Sequence, residues 1–387
     1  MILVFNPTNR YMTLKDFKTT KGRREYIEKT LNIKLDKIAQ IESDEENIHC
    51  ENKIGATSLP LGIAGPLKIS SFAEASEDRQ NYFIPLATTE GALVASVSRG
   101  CKAINLSGGT TSIVENVGVT RGPVYETSGL QESFTFKKWL ENNFELIKIE
   151  AEKTSSHLEL LKFETSIVGN NVFVRYYFDT GEAMGMNMVT IATRAINQFI
   201  ETKTKVKCLS VSGNFCVDKK PAWSNFLNGR GKKVWAEVTL KKEIVSDVLK
   251  TTSEKFYNVW LSKCMIGSVM NGSLGFNSHF ANIVAAFFAA TGQDLAHTVE
   301  GSMGVTTSKI LNNGDLFVSV YLPAVMLGIV GGGTKMKIKQ EALSIVGVKN
   351  SVELAQVLGG AILAGEISLL ASLAEGTLAC AHTKLGR

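Results

Sequence analysis

One carboxyl group stands among small and apolar residues in Pro85-Leu86-Ala87-Thr88-Thr89-Glu90-Gly91-Ala92. At a helix start Glu90 favours the dipole and needs no further role. Desolvated, it would keep its proton to higher pH and act as a general acid. Lys219 and Lys220 lie side by side in a segment of mostly small or apolar side chains, residues 210–222. A lysine pair usually marks a solvated turn, whereas a lysine held in such surroundings would stabilise a developing oxyanion. Asp294 ends a charge-free stretch, either as a turn residue or as the carboxylate that ties such a lysine down. His382 lies in the last turn's length of chain, where an imidazole is commonly idle but titrates in the range suited to proton delivery. In Glu182-Ala183-Met184-Gly185-Met186-Asn187-Met188, the methionine stripe reads as core. The glycine between two methionines reads equally as a place where a flat cofactor meets the backbone. No segment decides alone between its two readings.

The elements that must hold these residues are partly legible. Residues 13–47 read as a helix and an acidic loop, and 51–66 as turns around a strand. A helix is expected over 89–104, capped by Thr88 or Thr89. From 123 to 210, strand-like runs (163–168, 172–178) alternate with helical ones (140–150, 188–202), which suggests a small α+β insertion. Residues 264–293 carry no Asp, Glu, Lys or Arg. Asn271, Asn277, His279 and Asn282 would be costly in lipid, so a buried central helix after a glycine-rich turn is expected rather than a membrane span. Residues 316–334 read as strand, turn and tight loop, and 352–378 as a long helix interrupted at Gly359, Gly360 and Gly365. The expected division is an N-terminal helical segment (1–46), a large domain (47–122 and 211–387) and a small domain (123–210).

Composition narrows the classes. With 42 basic and 37 acidic residues, the net charge of +5 is too mild for a nucleic-acid partner but suits an anionic substrate. Cys50, Cys101, Cys208, Cys216, Cys264 and Cys380 form no CxxC pair and no metal-ligand spacing, so a reducing cytosol and no metal are expected. Neither GxGxxG nor GxxxxGK[ST] occurs, which disfavours a Rossmann dehydrogenase. Asn228-Gly229-Arg230-Gly231-Lys232 is basic and glycine-rich but fits neither pattern.

In order and spacing, ENKIG, LGIAGPL, PLATTEGALVAS, TRGPV, GEAMGMNM, VSGNFCVDKKPAW, GRGK, NSHFANIV, GQD, GIVGGGT and AGEISLLA together resemble the 3-hydroxy-3-methylglutaryl-CoA (HMG-CoA) reductase family, from about residue 48 to 387. The resemblance implies catalytic roles for Glu90 as proton donor, Lys219 as oxyanion partner, Asp294 as the link between them and His382 as the acid for departing CoA thiolate. It implies substrate contacts at Arg121, Ser212, Lys220, Lys263, His279 and Asn282. Cofactor contacts fall on Glu182, Met184, Gly185, Met186, Asn187, Gly331 and Gly332, with Ser156, His157 and Arg387 toward the 2′-phosphate of NADPH. The implied fold is α+β and non-Rossmann: an α-rich large domain around the buried helix, with a small ferredoxin-like cofactor domain inserted. The implied reaction reduces (S)-HMG-CoA to (R)-mevalonate and CoA with two NADPH, in a homodimer or homotetramer whose active sites lie between subunits. His157 stands where animal forms carry an arginine, which leaves an NADH-linked, mevalonate-degrading enzyme as the rival. A non-catalytic acyl-CoA-binding homologue is the rival from another class. ENKIG and the end at Arg387 point to the class I branch without a membrane region.

Overall fold

The structure, a computed structural model, describes residues 16–17, 19–36, 58–70 and 80–377. Its strands are β1 (Leu61–Ser70), β2 (Gln80–Ala87), β3 (Thr110–Arg121), β4 (Val124–Glu126), β5 (Glu159–Val168), β6 (Asn171–Asp179), β7 (Lys207–Ser210), β8 (Gly231–Leu240), β9 (Gly275–Phe276), β10 (Gly304–Ile310) and β11 (Leu316–Val325). They form one mixed sheet in the order β7-β4-β6-β3-β8-β11-β10-β9, with β1 joined to β2 and β3, and β5 joined to β6. The long strand β3 links its two halves, pairing β8 through Thr111–Gly118 and β6 through Val119–Arg121.

Side-chain alternation explains the middle of the sheet. Val234, Ala236, Val238 and Leu240 of β8 point inward, as do Leu316, Val318, Val320 and Leu322 of β11, while Lys233, Glu237 and Thr239 do not. The register Leu316↔Leu240, Val318↔Val238, Val320↔Ala236 puts the inward faces together. They pack with the helices Leu93–Leu106, Phe280–Thr291 and Ser351–Ala374 in one apolar core. A second core joins Tyr125, Val172, Val174, Tyr176 and Phe178 to Ile196 and Ile200 of the helix Met186–Lys203. The body expected to be α-rich packs these helices on a sheet, because the period-2 runs of β8, β10 and β11 pair with one another and with β3.

Local expectations are amended at several places. The helix expected from residue 89 begins at Leu93, after Ala92 with φ 70°. The Thr88 hydroxyl instead accepts the Glu90 N–H at 2.9 Å, closing a local turn that competes with helix. The run 140–150 splits into Leu130–Asn142 and Phe144–Glu152, since Asn143 leaves helical geometry (φ −114°, ψ 20°) and its amide bonds the Trp139 carbonyl. Of the uncharged stretch, Phe280–Thr291 is the buried helix. Residues 261–270 form a π-helical and α-helical turn that leaves Ile266, Val269 and Met270 exposed.

The C-terminal helix Ser351–Ala374 is continuous through its glycines. A Cβ at Gly365 would meet Ile283 Cδ1 at 2.2 Å, and one at Gly360 would meet Leu67 Cδ2 at 2.7 Å. The glycines are therefore contact points for neighbours rather than helix breaks. Their cost in helix propensity is offset by tertiary packing. By length and composition this helix could cross a membrane, but it is the mostly buried core helix of the fold.

Candidate active site

The loop carrying Lys219 is seated on the end of β3. Gly213 N–H donates to the Gly122 carbonyl at 2.6 Å, and Thr120 Oγ1 donates to the Cys216 carbonyl at 2.9 Å. A Cβ at Gly122 would lie 2.4 Å from Cys216 N, so this approach requires glycine. Asn214, Val217 and Lys219 have φ of 62°, 49° and 56°, a left-handed cluster that is costly for a β-branched residue and persists only where its surroundings impose it.

The surroundings are a buried charge network. Lys219 Nζ lies 2.9 Å from Asp294 Oδ2, and the Lys219 N–H donates to Glu300 Oε1 at 3.2 Å. Glu300 also pairs with Arg230 and lies 2.8 Å from His297 Nδ1. Arg230 donates to Asp218 Oδ1 at 2.9 Å and to Thr120 Oγ1 at 2.9 Å. His297 Nε2 faces Asp294 Oδ2 at 3.6 Å. Asp218, His297 and Glu300 bring ligand-type atoms within 4.8 Å of one another, and the Arg230 guanidinium already supplies a cation to Asp218 and Glu300. The hydrogen bond to Asp294 raises the Lys219 pKa above its ordinary 10.5 against the opposing effect of burial. Burial alone would push Asp294 up, but the bond from Lys219, the Ala296 N–H and the nearby positive charges bring it below 3.8. The result is a firmly charged ammonium, partly exposed, beside an anchored carboxylate.

Glu90 belongs to a different constellation. Its side chain is exposed. Asn282 Nδ2 donates to Glu90 Oε1 at 2.9 Å. Asn282 sits in the first turn of Phe280–Thr291, whose N-cap is His279. The fully buried Glu366 fixes that helix start, accepting Ser278 N–H at 2.8 Å, His279 N–H at 2.7 Å and Thr306 Oγ1 at 2.6 Å. No hydrogen bond or ion pair joins Glu90 to Lys219 or Asp294 among the described residues.

The expected cofactor segments come together. An isolated bridge pairs Ala183 with Val330, and the Ile329 N–H donates to the Glu182 carbonyl at 2.9 Å. Gly185 (φ 89°) caps the helix Met186–Lys203. A Cβ on Gly331 or Gly332 would meet nothing within 4 Å, so both glycines border open space. The Glu182 carboxylate accepts the first N–H of the helix Ser351–Ala374, where a negative charge complements the dipole.

The other candidates are distributed around these groups. Arg121 Nη1 lies 3.8 Å from Asp218 Oδ2, Lys220 Nζ donates to the Asp218 carbonyl at 3.3 Å, and Ser212 Oγ lies 3.7 Å from Cys216 Sγ. Lys263 is exposed on the π-helical turn and forms no ion pair among the described residues. Ser156, His157 and Asn187 are exposed, and the His157 N–H bonds Ser155 Oγ at 3.2 Å. His382, Arg387 and ENKIG lie outside the described residues. Sequence reasoning passed over Arg230, His297, Glu300 and Glu366. A signal existed for three of these: His297 and Glu300 are spaced i, i+3 just after Gly292-Gln293-Asp294, and Glu366 is a lone acid deep in an apolar run.

The family profile described as Hydroxymethylglutaryl-coenzyme A reductase matches residues 19–387. The 3-hydroxy-3-methylglutaryl-coenzyme A reductase of Methanocaldococcus jannaschii is 47% identical over 380 residues, covering 95% of this chain and 93% of that protein. That of Methanothermobacter thermautotrophicus is 45% identical over 372 residues, covering 94% and 92%. Among solved structures, the class II enzyme of Streptococcus pneumoniae bound to NADPH in open conformations shares the fold, with TM-score 0.72, 19% identity and coverage of 93% of this chain and 98% of that one. The family profile and the archaeal relatives together show that this chain belongs to the hydroxymethylglutaryl-coenzyme A reductases, a family of oxidoreductases.

Proposed function

We propose that the chain reduces HMG-CoA to mevalonate in two stages, with NADPH as the preferred reductant. The observation that carries this reading is the Lys219 ammonium held 2.9 Å from Asp294 on a strained loop. A fixed positive charge of that kind stabilises the oxyanion formed when a thioester carbonyl is attacked. NADPH, when bound, supplies the hydride for each stage. The segment 182–187 with Gly331 and Gly332 would hold it, and the open space beside those two glycines fits close approach by a planar group. Asp294 keeps Lys219 charged and oriented. Lys220, Arg121 and Ser212 border the same loop and would take the acyl carboxylate. By resemblance, His382 protonates the departing thiolate and Glu90 protonates the second-stage alkoxide, with Asn282 setting the position of Glu90.

Glu90 and Lys219 are not bonded to each other within one chain, which favours a site completed by a second copy, in a homodimer or homotetramer. His279 and Lys263 would enter on the Glu90 side. Separate apolar cores support dividing 47–122 with 211–387 from 123–210, while Ile27 and Leu35 of the segment 1–46 pack with Phe83 and Ile345 of the large body. Identity of 42–47% to archaeal enzymes, against 18–19% to the streptococcal structures, favours the class I branch and a cytosolic enzyme of isoprenoid synthesis. The test is an absorbance assay of the purified chain with HMG-CoA, comparing NADPH with NADH. His382→Gln should slow HMG-CoA turnover while sparing reduction of added mevaldehyde, since only the first stage expels a thiolate. Absence of turnover with either nucleotide would overturn the reading in favour of an acyl-CoA-binding role.

A further inference from the structure

The segment Gly229-Arg230-Gly231-Lys232 matches no nucleotide pattern, and the reaction as proposed makes no use of it. Yet Arg230 is fully buried and its guanidinium is bonded on every side. Nη2 donates to Asp218 Oδ1 at 2.9 Å and to Met186 Sδ at 3.0 Å. Nη1 pairs with Glu300, and Nε donates to Thr120 Oγ1 at 2.9 Å. Asp218 directly precedes Lys219, and Glu300 Oε1 accepts the Lys219 N–H at 3.2 Å. One cation thus fixes the Lys219 backbone through two carboxylates. The same cation bonds Met186, the first residue of the helix Met186–Lys203 and part of the expected cofactor segment. A planar guanidinium presents its donors in a rigid fork. A shift of Met186 therefore disturbs a donor shared with Asp218.

The geometry points to Arg230 as a positioning residue that couples the seating of the cofactor segment to the placement of Lys219. It acts through Met186 on one side and through Asp218 and Glu300 on the other. Coupling of this kind is reciprocal: a change at the Lys219 loop alters cofactor affinity, and a change at Met186 alters the lysine. The inference rests on the proposed roles of Lys219 and of segment 182–188. A lysine at position 230 would keep the charge but lose the fork.

The test is a double-mutant cycle in the full chain. NADPH affinity is read by fluorescence titration, and kcat and KM with mevaldehyde are read separately. Arg230→Lys is expected to lower kcat about 100-fold, the scale of a small misplacement of a reacting group. It should also weaken NADPH binding and change the KM for mevaldehyde far less than kcat. Met186→Leu should lower kcat roughly tenfold, about the worth of one hydrogen bond to a charged group. The double variant should be no worse than Arg230→Lys alone, because both remove the same link. Effects that multiply in the double variant overturn the proposal. So does an Arg230→Lys enzyme with a lowered Tm and unchanged kcat and NADPH affinity, which would mark a purely structural residue. If Arg230→Lys fails to fold, Glu300→Gln takes its place in the cycle, since it keeps an acceptor for the Lys219 N–H and loses the charge that holds Arg230. The same two outcomes then decide. Failure of the oxyanion reading is distinguishable, for it would appear as retained turnover in Lys219→Ala, whereas the Arg230–Met186 coupling is read in NADPH binding as well as in kcat, and the binding measurement needs no turnover.

Discussion

Asn282 donates to Glu90 at 2.9 Å across 192 residues of sequence, joining the first turn of a buried helix to an exposed loop. The contact has one chemical consequence if Glu90 is the second-stage acid: the amide selects which carboxyl oxygen remains free to carry the proton. Asn282→Ala should lower kcat for mevaldehyde roughly tenfold, the scale of one hydrogen bond to a charged group. Glu90→Gln should lower it much further. Steady-state kinetics with circular dichroism as a folding control checks both. An Asn282→Ala enzyme with full kcat would remove Asn282 from the mechanism.

Lys219 and Lys220 should separate by kinetic parameter. Lys219→Ala should cost about 100- to 1000-fold in kcat, as loss of a positioned oxyanion donor does. Lys219→Arg should fail as well, since a fork does not replace a compact ammonium. Lys220→Ala should mainly raise KM, because an acyl carboxylate is charged in ground and transition states alike. The reverse pattern would move the oxyanion role to Lys220.

The pH dependence of the Lys219–Asp294 pair follows from the two shifts. Asp294 is held below 3.8, so its contribution to stability is present above 3.8 and is lost as pH falls through the lower folded value. Lys219 is held above 10.5, so its contribution is present below 10.5 and is lost as pH rises through the higher folded value. Removing the carboxylate in Asp294→Asn should move the Lys219-dependent basic limb of kcat/KM to lower pH. Rate profiles and Tm measured across pH for both proteins test this, and an unmoved basic limb would mean that Asp294 does not govern Lys219.

Glu366 is expected to be among the most costly positions in the core. Glu366→Leu strands the Ser278 and His279 N–H groups and the Thr306 hydroxyl. At about 1–3 kcal/mol for each unsatisfied buried group, the loss should reach roughly 3 kcal/mol or more in urea unfolding. Glu366→Gln, which keeps an acceptor oxygen, should lose less.

The crossing of Leu93–Leu106 with Ser351–Ala374 should depend on Gly100. A Cβ there would lie 1.9 Å from the Ala364 carbonyl oxygen, whereas one at Gly365 meets the movable end of Ile283. Gly100→Ala should therefore destabilise more than Gly365→Ala, and by more than the roughly 1–3 kcal/mol typical of overpacking. Thermal unfolding of the two variants makes the comparison.

Candidates for the site could be picked from the chain by local chemistry, although only the family resemblance chose between their two readings. Glu90 between threonine and glycine, the Lys219–Lys220 pair, Asp294 after a charge-free run, and glycine between methionines are all features of neighbouring residues. The period-2 runs at 163–168 and 172–178 and the buried helix near 280 were legible for the same reason. Tertiary structure decided which of these groups meet. It joined Lys219 to Asp294 and Asn282 to Glu90, left Glu90 without a bond to Lys219 within the chain, and gathered Arg230, His297 and Glu300 around the Lys219 loop. It also turned Gly359, Gly360 and Gly365 from apparent helix breaks into packing contacts. The physical reason is that periodicity and side-chain type act over a few residues. The satisfaction of a buried charge, or the closeness of two backbones, depends on elements brought together from distant parts of the chain.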